Sequence, residues 1–208
     1  KCISVAVCLL ITVFSVLFEP EPHIDPHKSM ANLKRLESQG DARHILRRFG
    51  PRAQLDVYES PAIHYTLFAG LQSRAAPPPQ YTLLSDGSMA GTIFNIDSTS
   101  QAAILDQTPQ SIPYRLVGDS ARVLLLGATG GTNIWLAKRF GCRHITAVQT
   151  NPQLVSMMKN ELKSTNGSIF NRSDVTITTQ SPRHFLEQTD KKFDIIQMVR
   201  AESMSGGR

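Results

Sequence analysis

Residues 121–141, ARVLLLGATGGTNIWLAKRFG, constrain the fold of this chain more than any other stretch. A continuous apolar run at residues 123–126 leads into a cluster of glycines, and a helix-like pattern then continues to Gly141. Short apolar runs of this kind are typical of strands that a parallel sheet buries on both faces. Glycines in the next turn allow backbone N–H groups to approach a ligand closely, although such turns also serve close packing alone. The stretch therefore predicts a strand, a glycine turn and a helix, with a nucleotide-like ligand as the functional interpretation.

Three further strands are predicted downstream, with helices between them. The strands are expected at residues 144–150, 175–179 and 193–198. Asn151 and Pro152 are typical of a helix N-cap and first turn, so a helix is expected from there to about Lys163, and a shorter one at residues 182–187. Strands that alternate with helices form βαβ units and an open parallel sheet, with ligands at the carboxyl ends of the strands. We therefore expect a Rossmann-like α/β domain. It is expected to be truncated, because sheets of this type usually have more strands than those predicted here.

The N-terminal part of the chain predicts a membrane helix. Residues 3–18 form an uncharged apolar run, which lies at the short end of membrane-spanning lengths. A signal-peptide core and a buried helix are the alternatives, but Phe18-Glu19-Pro20 is no small-residue cleavage site. Seven Lys and Arg residues follow between positions 28 and 52. This positive charge predicts that the rest of the chain lies on the cytoplasmic side of the membrane.

Other partners and metals are not indicated by the sequence. The net charge of +5 largely reflects the basic cluster after the apolar run, and aromatic residues are not interleaved with it, so nucleic acid is not expected as a partner. The three cysteines and six histidines lack the spacing of a disulfide framework or a metal site. We therefore expect no metal.

The middle of the chain predicts a small antiparallel β-region. Residues 29–49 look like one or two helices interrupted at Gly40, with Asp41 as an N-cap. Strand-like stretches, separated by prolines and by the Asp86-Gly87 turn, then occur at residues 54–59, 65–68, 81–84 and 91–96. A connecting helix is expected at residues 101–116, broken near its two prolines.

Three segments of the α/β part resemble the spermidine synthase (polyamine aminopropyltransferase) family, especially its membrane-anchored bacterial members. The segments are GATGGTNIWLAKRFGCRHITAVQTNPQLV, SDVTITTQSPRHFL and KKFDIIQM. ESPAIHY and LLSDG stand where the family carries its β-hairpin region beside the active site. The resemblance implies a class I methyltransferase-type fold, decarboxylated S-adenosylmethionine or S-adenosylmethionine as a substrate, and a putrescine-like amine acceptor. It also leaves a homodimer open.

With this resemblance, the chain is expected to have four parts. They are a transmembrane helix at residues 1–20, a juxtamembrane helical linker at 21–53, the β-region and connecting helix at 54–116, and the truncated Rossmann-like adenosyl-binding domain at 117–208.

The resemblance implies an adenosyl site at the ends of the first three strands of the α/β domain. The implied residues are Gly127, Thr129, Gly130, Gly131, Gln149, Gln180 and Ser181. Thr129 replaces a glycine of the family, and its β-branched side chain tightens the loop. Gln149 replaces the acid that holds the ribose hydroxyls, but its amide oxygen can still accept one hydrogen bond. Gln180 and Ser181 stand near the expected adenine. Alternatively, both glutamines are solvated residues at strand ends.

The implied catalytic position departs most from the family. Aminopropyl transfer requires an amine to lose a proton while carboxylates hold its remaining cationic groups, so acids are expected just after the fourth strand. Val199 stands at the position of the usual general base, and only Glu202 falls where the second acid would be. Arg200 would repel a polycation. Asp86 is the implied contact for the amine, with a turn residue in Ser-Asp-Gly as the alternative.

Three function classes remain open. The first is an aminopropyltransferase-like enzyme, the second is a methyltransferase-like enzyme on the same architecture, and the third is a membrane-tethered domain that binds a nucleoside or nothing and catalyses nothing. The fold alone cannot separate them.

Overall fold

The computed structural model describes residues 24–64, 66, 69, 73 and 75–198, which form two four-stranded sheets. The first sheet is antiparallel with the strand order β1-β2-β3-β4, and helix α1 (Ser29–Ser38) precedes it. Its strands are β1 (Arg43–Phe49), β2 (Gln54–Glu59), β3 (Gln80–Ser85) and β4 (Ser88–Phe94). The predicted antiparallel β-region is therefore present. Most of the strand predicted at residues 65–68 lies outside the described residues.

The prediction of a helix after Gly40, with Asp41 as its N-cap, is wrong, because residues Arg43–Phe49 form strand β1 and Asp41 does not begin a helix. A bulge between His44 and Leu46 interrupts the pairing of β1 with β2. The bulge breaks the strict alternation of a strand, so the apolar spacing in the sequence looks helical. Pairing with β2 satisfies the backbone of β1, and this tertiary contact overrides the local pattern.

The turn predicted at Asp86-Gly87 is confirmed. Both residues have positive φ, +49° and +78°, and they join β3 to β4. Two-residue hairpin turns of this handedness suit an Asp-Gly pair, because these residues tolerate the left-handed region better than others do.

The connecting segment consists of short helices. Two 3₁₀ helices, Thr99–Gln107 and Pro109–Ser111, lead into α2 (Ile112–Val117). The predicted break near Pro109 is confirmed, whereas Pro113 lies in the first turn of α2 and does not interrupt it. Arg139 connects this segment with the α/β part of the chain, since its Nε and Nη2 atoms lie 2.5 and 2.6 Å from the Asp106 carboxylate.

The second sheet is parallel with the strand order β7-β6-β5-β8. Its strands are β5 (Arg122–Leu126), β6 (His144–Val148), β7 (Val175–Thr178) and β8 (Ile195–Gln197). Helices α3 (Thr132–Arg139), α4 (Pro152–Lys159) and α5 (Pro182–Gln188) alternate with them. The prediction of a mixed α/β fold with a parallel sheet is confirmed.

Helix α4 begins as predicted but ends four residues early. The Asn151 side chain accepts hydrogen bonds from the N–H groups of Gln153 and Leu154, which is the expected N-cap. The C-terminal end comes at Lys159 because the Asn166 side-chain amide donates to the Met158 carbonyl at 2.7 Å. This bond satisfies a carbonyl at the end of the helix and stabilises the turns that follow.

One apolar core joins the two sheets. It contains Leu55 and Leu83 from the antiparallel sheet, Val123 and Leu125 from β5, and Trp135 from α3, all at most 2% exposed. Burial of this kind is the main favourable term in folding. The antiparallel sheet therefore packs directly on the α/β part.

The predicted membrane location is wrong. No helix in the part of the chain that the structure describes is long and apolar enough to cross a bilayer. The apolar run at residues 3–18, on which the prediction was based, lies outside that part.

Candidate functional site

The carboxyl ends of β5, β6 and β7 lie side by side, because Leu126 is in register with Val148 and Val148 with Thr178. Gly127 follows β5, and its N–H donates to the Val148 carbonyl at 2.9 Å. Gln149 follows β6, and its N–H donates to the Thr178 carbonyl, also at 2.9 Å. The structure thus places the predicted strand-end residues along one edge of the sheet.

Part of the hydrogen-bonding capacity of the glycine loop, residues 127–131, is used for contacts within the chain. Gly127 and Gly131 have φ values of +95° and +87°, which favour glycine. Thr129 has a φ of +33°, where a β-branched residue is strained. Because the N–H of Gly127 donates to Val148 and that of Gly131 donates to the Ala128 carbonyl, neither group is left for a ligand.

Gly130 and Gly131 also have a packing role. A Cβ at Gly130 would lie 2.1 Å from the Thr92 carbonyl oxygen, so β4 rests directly on the loop. A Cβ at Gly131 would lie 2.8 Å from the Phe170 ring. Both positions therefore need glycine for the contacts of this chain with itself, whether or not a ligand binds.

Gln149 is the most informative of the predicted residues. Its side chain is fully buried, with 0% of the residue exposed. The amide oxygen accepts a hydrogen bond from the N–H of Asn151 at 3.1 Å, whereas the amide nitrogen is buried and has no partner among the residues that the structure describes. Buried polar groups without a partner are uncommon in proteins and costly. The alternative of a solvated strand-end residue therefore does not describe Gln149.

Gln180 and Ser181 lie at the end of β7 and are both exposed. The Ser181 hydroxyl accepts a hydrogen bond from the N–H of His184 at 3.2 Å and caps α5. Ser181 therefore has a structural role, and the exposure of Gln180 agrees with a solvated residue as well as with an adenine contact. Their assignment to the cofactor remains a prediction.

At the end of β8, Gln197 is held by two hydrogen bonds. Its amide oxygen accepts from the Tyr114 hydroxyl at 2.8 Å, and its amide nitrogen donates to the Gln110 carbonyl at 3.3 Å. Burial raises the pKa of Tyr114 far above its ordinary range, so the hydroxyl keeps its proton. The predicted catalytic residue Glu202, with Val199 and Arg200, lies outside the described residues.

Asp86, the predicted amine contact, lies in the β3–β4 turn. One carboxylate oxygen accepts from the N–H of Gln54 at 2.9 Å, and the Asp86 carbonyl accepts from the Lys28 ammonium at 2.7 Å. The side chain therefore supports the turn, and a contact with an amine stays a prediction.

Sequence reasoning missed a buried carboxylate in the antiparallel sheet. Asp56 is 0% exposed and accepts hydrogen bonds from His44 Nε2 at 2.8 Å, Arg47 Nε at 2.6 Å and Gln54 Nε2 at 2.6 Å. An aspartate between two apolar residues of a predicted strand, as in Leu-Asp-Val, was the available signal. His44 and Arg47 belong to β1 and Asp56 to β2, so these two hydrogen bonds hold β1 against β2, while Gln54 donates from the same strand as Asp56.

The described residues contain no group of three or more potential ligands that could hold a metal ion.

The chain is similar to known polyamine-synthesising enzymes. No protein-family model matches it. It is 25% identical over 123 residues to the polyamine aminopropyltransferase of Pseudomonas syringae pv. tomato, which covers 56% of this chain and 43% of the relative. A spermidine synthase solved in complex with the transition state analogue AdoDATO matches with a TM-score of 0.51 at 17% identity, over 75% of this chain and 47% of that one.

The spermidine synthase from Thermotoga maritima matches with the same TM-score, 0.51, and the same identity, 17%, over 75% of this chain and 46% of that chain. The chain thus spans less than half the length of each relative. The membrane-anchored subgroup receives no support from these similarities. They show that the chain has a spermidine synthase-like fold, a mixed α/β architecture with a parallel sheet.

Proposed function

We propose that this chain is an aminopropyltransferase-like domain that binds an adenosyl compound at the carboxyl ends of β5, β6 and β7. The observation that carries the proposal is Gln149, a fully buried amide at the end of β6 whose nitrogen has no partner in the described chain. The similarity to spermidine synthases supports it, because one of those enzymes was solved in complex with the transition state analogue AdoDATO. Decarboxylated S-adenosylmethionine and S-adenosylmethionine are the proposed ligands.

Binding is expected to be weak. Gln149 carries no charge, and a hydrogen bond to a charged group contributes on the order of 1.5–3 kcal/mol. Its loss lowers affinity about ten- to a hundredfold relative to a site that keeps the acid. Two of the loop N–H groups are also committed within the chain, so Ala128, Thr129 and Gly130 are the remaining loop positions whose backbone could face a ligand.

Transfer to a putrescine-like amine is proposed to be slow or absent. Val199 cannot accept a proton, so Glu202 alone would have to deprotonate the amine and hold its remaining charge. Arg200, two residues from Glu202, would repel a polycation. Polyamine binding is therefore weaker than adenosyl binding in this proposal.

Calorimetry of the 208-residue chain with three ligands tests the proposal. The ligands are methylthioadenosine, S-adenosylmethionine and its decarboxylated form. We expect saturable binding of at least one of them, and little transfer from the decarboxylated form to putrescine in a parallel assay. Rapid transfer would show that the missing acids matter less than proposed. A clear preference for S-adenosylmethionine would favour the methyltransferase class.

A domain without a ligand is the second candidate, and one observation favours it. The Thr92 carbonyl and the Phe170 ring account for Gly130 and Gly131 by close packing alone. Absence of binding of all three compounds to a chain with native circular dichroism would support this candidate and contradict the first.

A further inference from the structure

We infer that a second cavity, at the amino ends of the parallel strands, binds a small phosphorylated sugar. This amino-end cavity is lined by the first residues of β5 and β6, by the start of β7 and by residues 191–193, which precede β8. Its volume of about 330 Å³ is sufficient for a small organic ligand. The proposed adenosyl site lies at the opposite ends of the same strands, roughly 13 Å away for strands of this length, so the inference does not depend on that site.

The two ends of the cavity differ in chemistry because of the strand order. Strands β5 and β8 are neighbours, and β6 and β7 lie on the other side of β5. Arg122 at the start of β5 and the lysines before β8 make one end basic. The other end carries the hydroxyl groups of Thr146, Ser173 and Thr176. Thr146 and Thr176 are in register on adjacent strands, so they belong to the same face of the sheet.

The basic end has positive charge that the protein does not neutralise. Arg122 is already paired, because its Nε atom lies 3.4 Å from Asp194 Oδ2, and the same oxygen accepts from the Arg122 N–H at 2.7 Å. Lys191 and Lys192 are both exposed, and neither forms an ion pair with an acid in the described part of the chain. Two adjacent ammonium groups at the mouth of a cavity attract an anion of more than one charge.

Thr146 is the second observation that points to a ligand. The residue is only 7% exposed, and its hydroxyl has no hydrogen-bond partner among the described residues. The hydroxyl is nevertheless not one of the polar atoms that the fold seals from solvent, so a molecule in the cavity can reach it. The neighbouring positions on this face are Leu124, Leu126 and Val148, which form an apolar cluster. Packing alone would favour an apolar residue at position 146 as well, because a buried hydroxyl without a partner is costly.

The lining selects among anions. Hydroxyl groups both donate and accept hydrogen bonds, as the hydroxyls of a sugar do. Asp174 lies at the hydroxyl end and is paired with Lys138 and with Arg172, so a dicarboxylate would bring a second negative charge close to this carboxylate. A phosphate at the basic end with an uncharged sugar at the hydroxyl end avoids this repulsion. Phe193 adds an apolar wall on which the C–H groups of a sugar can pack.

The test is a titration of the isotope-labelled 208-residue chain, followed by nuclear magnetic resonance through the backbone N–H signals of the cavity residues. The probes are ribose 5-phosphate, ribose and inorganic phosphate. Lys191→Gln combined with Lys192→Gln removes the two charges, and Lys163→Gln, at an exposed lysine outside the cavity, is the matched control. Thr146→Val keeps the shape of the side chain and removes the hydroxyl. Thr176→Val, at an exposed position, tests the same end without a change in the core.

We expect ribose 5-phosphate to give saturable shifts at the cavity residues and to bind more tightly than ribose or inorganic phosphate. The double lysine variant should weaken its binding at least about tenfold, whereas Lys163→Gln should leave the Kd within about twofold. Thr146→Val should weaken ribose 5-phosphate about two- to tenfold and leave the binding of inorganic phosphate unchanged, since a neutral hydrogen bond is lost only with the sugar.

The opposite results would overturn the inference at separate points. Ribose bound as tightly as its phosphate would exclude the role of the lysines, and so would equal effects of the double variant and Lys163→Gln. Inorganic phosphate bound as tightly as ribose 5-phosphate, or unchanged sugar phosphate binding in both threonine variants, would exclude the sugar. Absence of saturable shifts with all three probes would overturn the site as a whole and leave the proposed adenosyl site unaffected.

Discussion

The contact between the glycine loop and the antiparallel sheet predicts a large effect for Gly130→Ala. Gly130 does not have a positive φ, so the left-handed strain that a side chain would meet at Gly127 or Gly131 does not add to the effect of the new methyl group. That methyl group would lie 2.1 Å from the Thr92 carbonyl oxygen and 2.6 Å from the carbonyl carbon. Both atoms belong to the backbone of β4, which cannot turn aside as a side chain can.

The size of the effect follows from the distance. Ordinary van der Waals contact begins at 3.4 Å, so the strand and the loop have to separate by about 1.3 Å. Overpacking of a well-packed interior typically costs about 1–3 kcal/mol, and a clash with backbone belongs at the upper end. We therefore expect Gly130→Ala to lower the free energy of unfolding by about 3 kcal/mol, or the Tm by roughly 6–12 °C for a chain of this size.

Gly91→Ala is the matched control. It introduces the same methyl group into the same interface, but at 3.2–3.3 Å from the Thr129 side chain, which has to yield by only a few tenths of an ångström. Alanine in a strand also removes some of the entropic cost of glycine, so the net change should stay within about 1 kcal/mol. Thermal and urea unfolding of both variants measure the difference. A Tm for Gly130→Ala within about 2 °C of that for Gly91→Ala would refute the close contact between β4 and the loop.

Two further predictions concern groups away from the candidate site. Asp56→Ala should lower the free energy of unfolding by about 1–3 kcal/mol, because it removes the buried acceptor of hydrogen bonds from His44, Arg47 and Gln54. Glu59→Ala removes an exposed ion pair with Arg43 on the same strands and should cost less than about 1 kcal/mol. Equal losses in urea unfolding would contradict the role of Asp56. Burial raises the pKa of the Cys142 thiol from 9.0 to about 11. Above pH 9 the unfolded chain therefore releases this proton before the folded chain does, so the Tm should fall between pH 9 and 11. The Tm of the Cys142→Ala variant should fall less steeply over the same pH interval. Parallel curves of Tm against pH for the two proteins would show that the thiol is not responsible for the fall.

The α/β part of the fold could be predicted because its signals are local. The apolar run of β5 is continuous since both faces of the strand are buried, and the glycines that follow it stand next to each other in the sequence. Asn151 and Pro152 likewise begin α4 through contacts within the first turn. Such features depend on neighbouring residues, so the sequence alone displays them.

The features that the sequence did not predict depend on distant residues. Strand β1 was expected to be a helix because its pairing with β2, and the hydrogen bonds from His44 and Arg47 to Asp56, are invisible in the local pattern. The early end of α4 depends on Asn166, which reaches back to the Met158 carbonyl.

The candidate site likewise has one feature that the sequence predicts and others that only the folded structure shows. The position of Gln149 at the end of the second parallel strand follows from strand order, and sequence reasoning placed it correctly. The polarity of its amide depends on the direction of the Asn151 N–H, which only the folded backbone shows. The packing role of Gly130 depends on Thr92, a residue of the other sheet.

The central claim is that an adenosyl compound binds at the carboxyl end of β6, and the side-chain amide signal of Gln149 tests it most directly. A titration of the isotope-labelled chain with methylthioadenosine can follow this signal in nuclear magnetic resonance spectra, with its disappearance in Gln149→Glu as the assignment. We predict that the Gln149 amide and the Asn151 backbone N–H shift together and saturate with a single Kd. A saturable titration that leaves both signals unmoved, or no titration at all, would contradict the claim.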